Sequence, residues 1–200
     1  MPRTSLAVLL AAAYWLDMVW PVLLLAGIEH VRIDPGNTAF TPLDFRDYPW
    51  SHSLVLAAAW SVLFGLACIR ASKRVALLAG LLVFSHWVLD FVTHRPDLPL
   101  WPGGGPMVGL GLWNSVPATI VIESAMFAVG ICIYAFSTRP RDLIGVFAFW
   151  GLVFFLGVIY VASVFGPPPP NESSIAIAGA AGAVLFTAWS WWADRHRASG

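Results

Sequence analysis

Six ionisable side chains lie within long apolar stretches of the 200-residue chain, where such groups are costly. An ionisable group inside a membrane-spanning helix costs about 3 kcal/mol on insertion scales, so it usually marks function. The six residues are Asp17, His52, His86, Asp90, His94 and Glu123. Imidazole and carboxylate groups together suit Zn²⁺, Mn²⁺ or Fe²⁺. The set therefore predicts a site for a divalent transition metal, zinc or manganese before others.

Three of these residues share one face of a single predicted helix. His86, Asp90 and His94 follow one another at intervals of four, and each such step drifts only about 40° around the helix axis. The Cα atoms of His86 and His94 would lie about 12 Å apart along that axis, too far for both to bind one ion. We expect an i, i+4 pair from this helix to bind one metal together with Asp17 and His52 from two other helices.

The composition indicates that these residues belong to a membrane protein. Hydrophobic residues make up 58% of the chain and charged residues 11%, whereas soluble domains carry roughly 25% charged residues. A soluble fold of this size could not bury so much apolar surface, and a membrane span needs about 20 mostly apolar residues. We predict an all-α, polytopic membrane protein, a single transmembrane domain over residues 1–200. About six transmembrane helices are expected, near 5–28, 50–69, 75–93, 114–136, 143–165 and 174–193.

The basic residues predict how these spans are oriented. One side of the membrane would hold Arg3, Arg70, Lys73, Arg74, Arg139, Arg141, Arg195 and Arg197. The other side would hold only Arg32, Arg46 and Arg95. Because basic loops stay inside, both termini are predicted to be cytoplasmic. We expect an integral protein of the bacterial inner (plasma) membrane.

The six ionisable residues are predicted to lie at similar depths. Counting about 1.5 Å per helical residue from the cytoplasmic ends places Asp17 and His86 about 16 to 18 Å deep and His94 about 28 Å deep. The other three fall between these depths. Unrelated polar residues would scatter through both halves of the membrane. The shared depth therefore predicts one site that opens to the outside.

Each of these residues taken alone has a simpler explanation. A lone buried His or Asp is more often a hydrogen-bonded contact between helices than a metal ligand. For Asp17, Glu123 and His94 this explanation competes with a functional one. For His52, His86 and Asp90 taken together, function is the better explanation.

Two short segments resemble motifs of the YdjM-like inner-membrane proteins, a family described as metal-dependent hydrolases. Trp50-Ser51-His52-Ser53 resembles the family's THS element. Ser85-His86-Trp87-Val88-Leu89-Asp90 resembles its SHLLLD element, which follows on the next helix. Tyr14-Trp15-Leu16-Asp17 matches in part the acidic PDxD element of the first helix. The resemblance covers roughly residues 10–100 and implies a metal-dependent hydrolase.

The sequence departs from that family pattern at three points. No Pro-Asp doublet precedes Asp17, no Arg-Gly pair stands ahead of His52, and His94-Arg95-Pro96-Asp97 is additional. Phosphatidic-acid-type phosphatases also end a motif in His-x-x-x-Asp. Their preceding Ser-Arg, Pro-Ser-Gly-His and Lys-to-Arg-Pro elements are missing here, so that match fails.

Three functions remain open at the level of sequence. A hydrolase would bind metal through Asp17, His52, His86 and Asp90, use Glu123 or His94 as general base or acid, and act on a lipid or amphiphile. A proton- or cation-translocating protein would use the same groups as a relay, but no polar line continues towards the cytoplasm. An accessory subunit would dock a membrane-protein partner, or a second copy, through its apolar fifth and sixth helices. The net charge of zero and the lack of a basic patch exclude nucleic acid as a partner.

Overall fold

A helix that bends in its middle opens the chain in the computed structural model, which describes residues 4–200. Helices α1 (Leu6–Ala13) and α2 (Trp15–Leu25) meet at Tyr14 and are bent by 58°. The hydroxyl of Tyr14 bonds to Thr187 Oγ1 at 2.7 Å, which ties the bend to the last helix. The sequence predicts one continuous span near 5–28, and the structure has this bent pair in its place.

Six further helices follow the bent pair. They are α3 (Pro49–His52), α4 (Leu54–Ala67), α5 (Lys73–Thr93), α6 (Val116–Ser137), α7 (Leu143–Phe165) and α8 (Glu172–Arg195). Helices α5 to α8 are each long and apolar enough to cross a membrane, and the bent pair counts as a fifth span if taken as one. Helix α4 has 14 residues, fewer than a full span needs. The prediction of a mainly helical chain with helices able to span a membrane is confirmed, with four or five candidate spans against the six expected.

Within residues 4–200, three short antiparallel strand pairs lie outside the helices, where the sequence predicts only loops. Strand β1 (His30–Ile33) pairs with β2 (Leu43–Asp47) after the bent helix pair. Strand β3 (Leu98–Pro99) pairs with β4 (Met107–Val108) after α5. Strand β5 (Thr138–Pro140) pairs with β6 (Arg197–Ser199) and attaches the C-terminal end to the loop after α6.

Glycines allow α4 and α5 to pack closely. A Cβ atom on Gly80 would lie 3.0 Å from the Ser61 carbonyl oxygen, and one on Gly65 would lie 2.9 Å from the Ala76 carbonyl oxygen. Ser61 Oγ also donates a hydrogen bond to the Gly80 carbonyl at 2.6 Å. This contact fixes the depth of α5 relative to the α3–α4 segment, and both carry candidate site residues.

The buried core lies between the bent pair, α4 and α5. Leu16 and Val83 are fully buried there, and Trp20 and Trp87 nearly so. Helix α8 packs along the other side of the bent pair, where Gly179 leaves room for the ring of Pro21. The core therefore holds α2, α3 and α5 in fixed positions around the polar side chains described next.

Candidate metal centre

Four of the six ionisable side chains converge at one point. Nε2 of His52, at the end of α3, lies 3.5 Å from Asp17 Oδ1 and 3.8 Å from Asp90 Oδ2. Nε2 of His86 lies 3.6 Å from Asp17 Oδ2 and 3.4 Å from Asp90 Oδ2. One ligand atom each from Asp17, His52 and His86 all lie within 4.8 Å of one another. Each imidazole therefore faces both carboxylates across a small gap.

The size of this gap suits a shared ion better than direct hydrogen bonds. An N–H···O hydrogen bond spans about 2.7–3.2 Å. Ligand atoms held about 2.0–2.2 Å from a zinc ion at tetrahedral angles lie about 3.3–3.6 Å apart. The four N···O separations of 3.4 to 3.8 Å exceed hydrogen-bond length and lie close to that spacing. The mutually close set is Asp17, His52 and His86, and Asp90 Oδ2 lies beside it, 3.4 Å from His86 Nε2.

One carboxylate oxygen in the cluster lacks a partner. Asp90 Oδ2 is buried and accepts no hydrogen bond from any residue between 4 and 200. Burying a charged oxygen without compensation is costly, and a cation within the gap would supply the compensation. The donor set of two imidazoles and two carboxylates is one that zinc and manganese accept.

The backbone of the bent helix determines which nitrogen of His86 faces the cluster. Nδ1 of His86 lies 2.8 Å from the carbonyl oxygen of Ala13, the last residue of α1. A carbonyl oxygen only accepts hydrogen bonds, so Nδ1 carries the proton in this contact. In its neutral form this ring would present the lone pair of Nε2 to the two carboxylates, as a metal ligand must.

A buried chain of hydrogen bonds orients His52 in the same way. Ser51 Oγ lies 2.6 Å from His52 Nδ1 and donates its proton to Glu29 Oε2 at 2.6 Å. Because the hydroxyl has only this one proton, it accepts from Nδ1–H, and a neutral His52 would again offer its Nε2 lone pair to the cluster. The other oxygen of Glu29 accepts the backbone N–H groups of Trp50 and Ser51 at 2.7 and 2.8 Å.

Glu29 is the residue of this candidate site that sequence reasoning missed. It is fully buried, although it follows directly on the predicted end of the first span, where a carboxylate is expected to be solvated. Its partner Ser51 lies 22 positions further along the chain. The only feature of the sequence that pointed to a hydrogen-bond partner for His52 was the serine directly before it.

His94 lies in the wall of the same cavity but outside the four-residue cluster. Its Nδ1 donates to Asp97 Oδ1 at 3.0 Å, since a carboxylate only accepts, and Tyr48 Oη lies 3.3 Å from the same nitrogen. The ring packs against Trp113, with centroids 4.4 Å apart. Burial and the charge of Asp97 raise the pKa of Tyr48 well above its ordinary value, so the phenol stays a hydrogen-bond donor.

The structure does not bring Glu123 to the cluster. This residue of α6 accepts a 3.4 Å hydrogen bond from Trp113 Nε1, and it is not among the residues that line the cavity. Trp113 stands between it and His94. Of the two residues expected to act as acid or base, only His94 shares the cavity with the cluster.

The four side chains of the cluster all line one cavity of about 1280 Å³. The side chain of Asp17 is 53% exposed, whereas those of His52, His86 and Asp90 are 6%, 13% and 14% exposed. Three of the four groups are therefore enclosed by protein, and the cluster is reached from the Asp17 side.

Comparison of the chain with models of known protein families, with curated proteins and with solved structures gives no match. The resemblance to the YdjM-like proteins stays a prediction. Function has to be inferred from the site itself.

Replacing Asp90 tests whether this carboxylate is a structural partner of the histidines or a group held ready for a cation. With metal removed by a chelator, we expect Asp90→Asn to raise the free energy of unfolding by about 1–3 kcal/mol, the usual cost of an unsatisfied buried group. The asparagine amide can donate to an Nε2 lone pair, which the carboxylate cannot. Thermal unfolding in detergent measures the change.

The control for this variant is Asp47→Asn, at an exposed position at the end of β2, which should leave the unfolding temperature unchanged. If Asp90→Asn instead destabilised the chelated protein, Asp90 would be a partner of protonated histidines in a structural ion-pair network.

Proposed function

We propose that this protein is a membrane-embedded, metal-dependent hydrolase whose ion is held by Asp17, His52, His86 and Asp90. One observation carries the proposal. Two imidazole nitrogens, each with its lone pair turned inward by a hydrogen bond at the opposite nitrogen, face two carboxylates across an ion-sized gap. Hydrogen bonds that fix a ligand's tautomer from behind are the usual support of metal-binding histidines.

The uneven exposure of the four groups supports a catalytic centre over a purely structural one. Structural zinc sites are closed by four protein ligands, whereas catalytic sites keep a position open to water or substrate. Here the Asp17 side of the cluster faces the cavity, and the other three groups are enclosed. Five-coordinate zinc, or manganese with its larger coordination number, would keep such an open position beside Asp17.

A divalent ion bound here would supply Lewis acidity and lower the pKa of a neighbouring water towards about 7. The chain itself supplies the proton-transfer group. Asp97 holds the His94 ring through Nδ1, which leaves Nε2 as the position that accepts and returns a proton. His94 lines the cavity and Glu123 does not, so the role of general base or acid falls to His94.

The proposal includes a topology that places this cavity in the outer half of a bacterial inner membrane. Helices α3 and α4 together cover residues 49–67, interrupted only at Ser53, and we take this segment as a sixth span. Six spans return the chain to the side on which it started, so both termini are cytoplasmic, in agreement with the distribution of basic residues. A lipid or another amphiphile is then the natural substrate, and the proposal agrees with the YdjM-like resemblance.

Metal uptake by matched serine variants tests the proposed centre. Ser51→Ala removes the group that orients His52, so we expect metal affinity to fall about 10- to 100-fold, the usual effect of losing such a hydrogen bond. Ser85→Ala is the matched control. Ser85 also directly precedes a cluster histidine, but its hydroxyl bonds to the Leu82 carbonyl at 2.8 Å. The measurement is zinc and manganese content by mass spectrometry after equilibration at a series of buffered free metal concentrations.

Wild-type protein should hold about one ion per chain, and Ser85→Ala should match it. A folded wild-type protein that takes up neither metal would refute the metal-dependent proposal. Equal affinities for the two serine variants would contradict the orienting role of Ser51.

Cysteine accessibility tests the six-span topology. In a background without Cys68 and Cys132, Ser173→Cys at the start of α8 should react with a membrane-impermeant maleimide in spheroplasts. Ala71→Cys, between α4 and α5, should react only after permeabilisation. Both positions are exposed. Labelling of Ala71→Cys in intact spheroplasts would show that the α3–α4 segment does not cross the membrane in the proposed direction.

A further inference from the structure

We propose, on the basis of the hydrolase function above, that the bond cleaved is an uncharged carboxylic ester or amide of a long-chain amphiphile, and that it is not a phosphate ester. Two features support this inference: the charge balance of the cavity and its apolar lining at α7 and α8.

The cavity has no fixed positive charge to receive a phosphate. Within residues 4–200, no lysine or arginine lines it, and its only carboxylates are Asp17 and Asp90. Their two negative charges would be balanced by one divalent ion, which leaves the centre neutral. A phosphate ester would add negative charge to a poorly solvated site without compensation, whereas a carbonyl group adds none. Sites for phosphoryl transfer instead surround the group with Arg, Lys or a second metal.

Arg46 and Arg95, which directly follow the cavity-lining residues Phe45 and His94, are already paired. Arg95 bonds to Asp44 Oδ1 at 2.6 Å and to Asp97 Oδ2 at 3.0 Å. Arg46 also pairs with Asp44. Both guanidinium groups are thus engaged by carboxylates, and neither arginine lines the cavity, so neither replaces the missing phosphate ligand.

The part of the cavity lined by α7 and α8, called its apolar end below, is mostly apolar and suits a hydrocarbon chain. Helix α7 contributes Phe155, Leu156 and Ile159, and α8 contributes small residues that include Ala178 and Ala181. Two uncharged segments also line the cavity. The first comprises residues 35–36 and 38–43, and the second comprises residues 166–169. The volume of about 1280 Å³ exceeds the roughly 300–1,000 Å³ of pockets for drug-sized ligands. An amphiphile can place its acyl chain between α7 and α8 and its carbonyl carbon at the cluster.

The reaction is a hydrolysis without any redox change. The oxygen of water bonds to the carbonyl carbon, and the bond from that carbon to the alcohol oxygen or amine nitrogen breaks. His94 Nε2 accepts a proton from the water and returns it to the leaving oxygen or nitrogen. The products are a carboxylic acid and an alcohol or amine.

The test compares matched amphiphiles on zinc-loaded protein of measured metal content. The probes are monopalmitoylglycerol, N-palmitoylethanolamine, hexadecyl phosphate and monobutyrylglycerol, with products followed by mass spectrometry. We expect cleavage of one or both palmitoyl compounds at least about tenfold faster than phosphate release from hexadecyl phosphate. Tenfold is the rate ratio produced by a barrier difference of about 1.4 kcal/mol. The short butyryl ester should also be at least about tenfold slower, because it cannot fill the apolar end.

Binding gives a second readout that does not depend on turnover. The uncleavable ether 1-O-hexadecylglycerol should raise the unfolding temperature of the wild-type protein. Ala181→Trp, which narrows the apolar end, should abolish that shift without changing metal content. Val184→Trp is the matched control, because Val184 is 71% exposed on the same helix and does not line the cavity. It should leave the shift intact.

Three results would overturn the inference. They are faster cleavage of hexadecyl phosphate, no cleavage of either palmitoyl compound by fully metallated protein, and an ether-induced shift that Ala181→Trp leaves intact. In each case the measured metal content would still support the metal centre. The substrate proposal can therefore fail while the metal-site proposal holds. A protein that binds no metal would remove the proposed function and this inference with it.

Discussion

Two carboxylates and two imidazoles lie together in an apolar helix bundle, and the rest of the structure has to offset the cost of burying them. Isolated charges in such surroundings are costly, so the surrounding elements are arranged to satisfy these groups from behind. The bend after Ala13 places a carbonyl oxygen against His86 Nδ1, and buried Glu29 reaches His52 through Ser51. Both histidines therefore turn their second nitrogen inward. These contacts leave a gap between the four groups, and we propose that a cation binds there.

The sequence was most informative where chemistry and helical periodicity agree. The i, i+4 spacing of His86 and Asp90 predicts one helix face, and the structure places both on one side of the gap. Asp17 and His52 were expected beside them because all four shared a depth in the membrane, and the structure brings them together. The N···O separations support metal binding by these four residues, and a metal measurement tests it.

Features set by long-range contacts were beyond sequence reasoning. The bend at Tyr14 is fixed by a hydrogen bond to Thr187 on the last helix, and the sequence around Tyr14 does not predict that contact. Glu29 follows a predicted span, where solvation is the default expectation, yet residues distant in sequence bury it completely. Glu123 was grouped with the cluster by depth alone. Depth does not specify direction around a helix axis, and Trp113 separates Glu123 from His94.

X-ray absorption spectroscopy of the zinc- or manganese-loaded protein tests the central claim most directly, because it reports the atoms around the ion. The account predicts two imidazole nitrogens and at least two oxygens at about 2.0–2.2 Å, with no sulfur. His52→Gln and His86→Gln should each remove half of the outer-shell imidazole scattering. A metal environment of water and carboxylate oxygens without imidazole scattering would contradict the account. The four groups would then be a buried ion-pair network that holds the helices together.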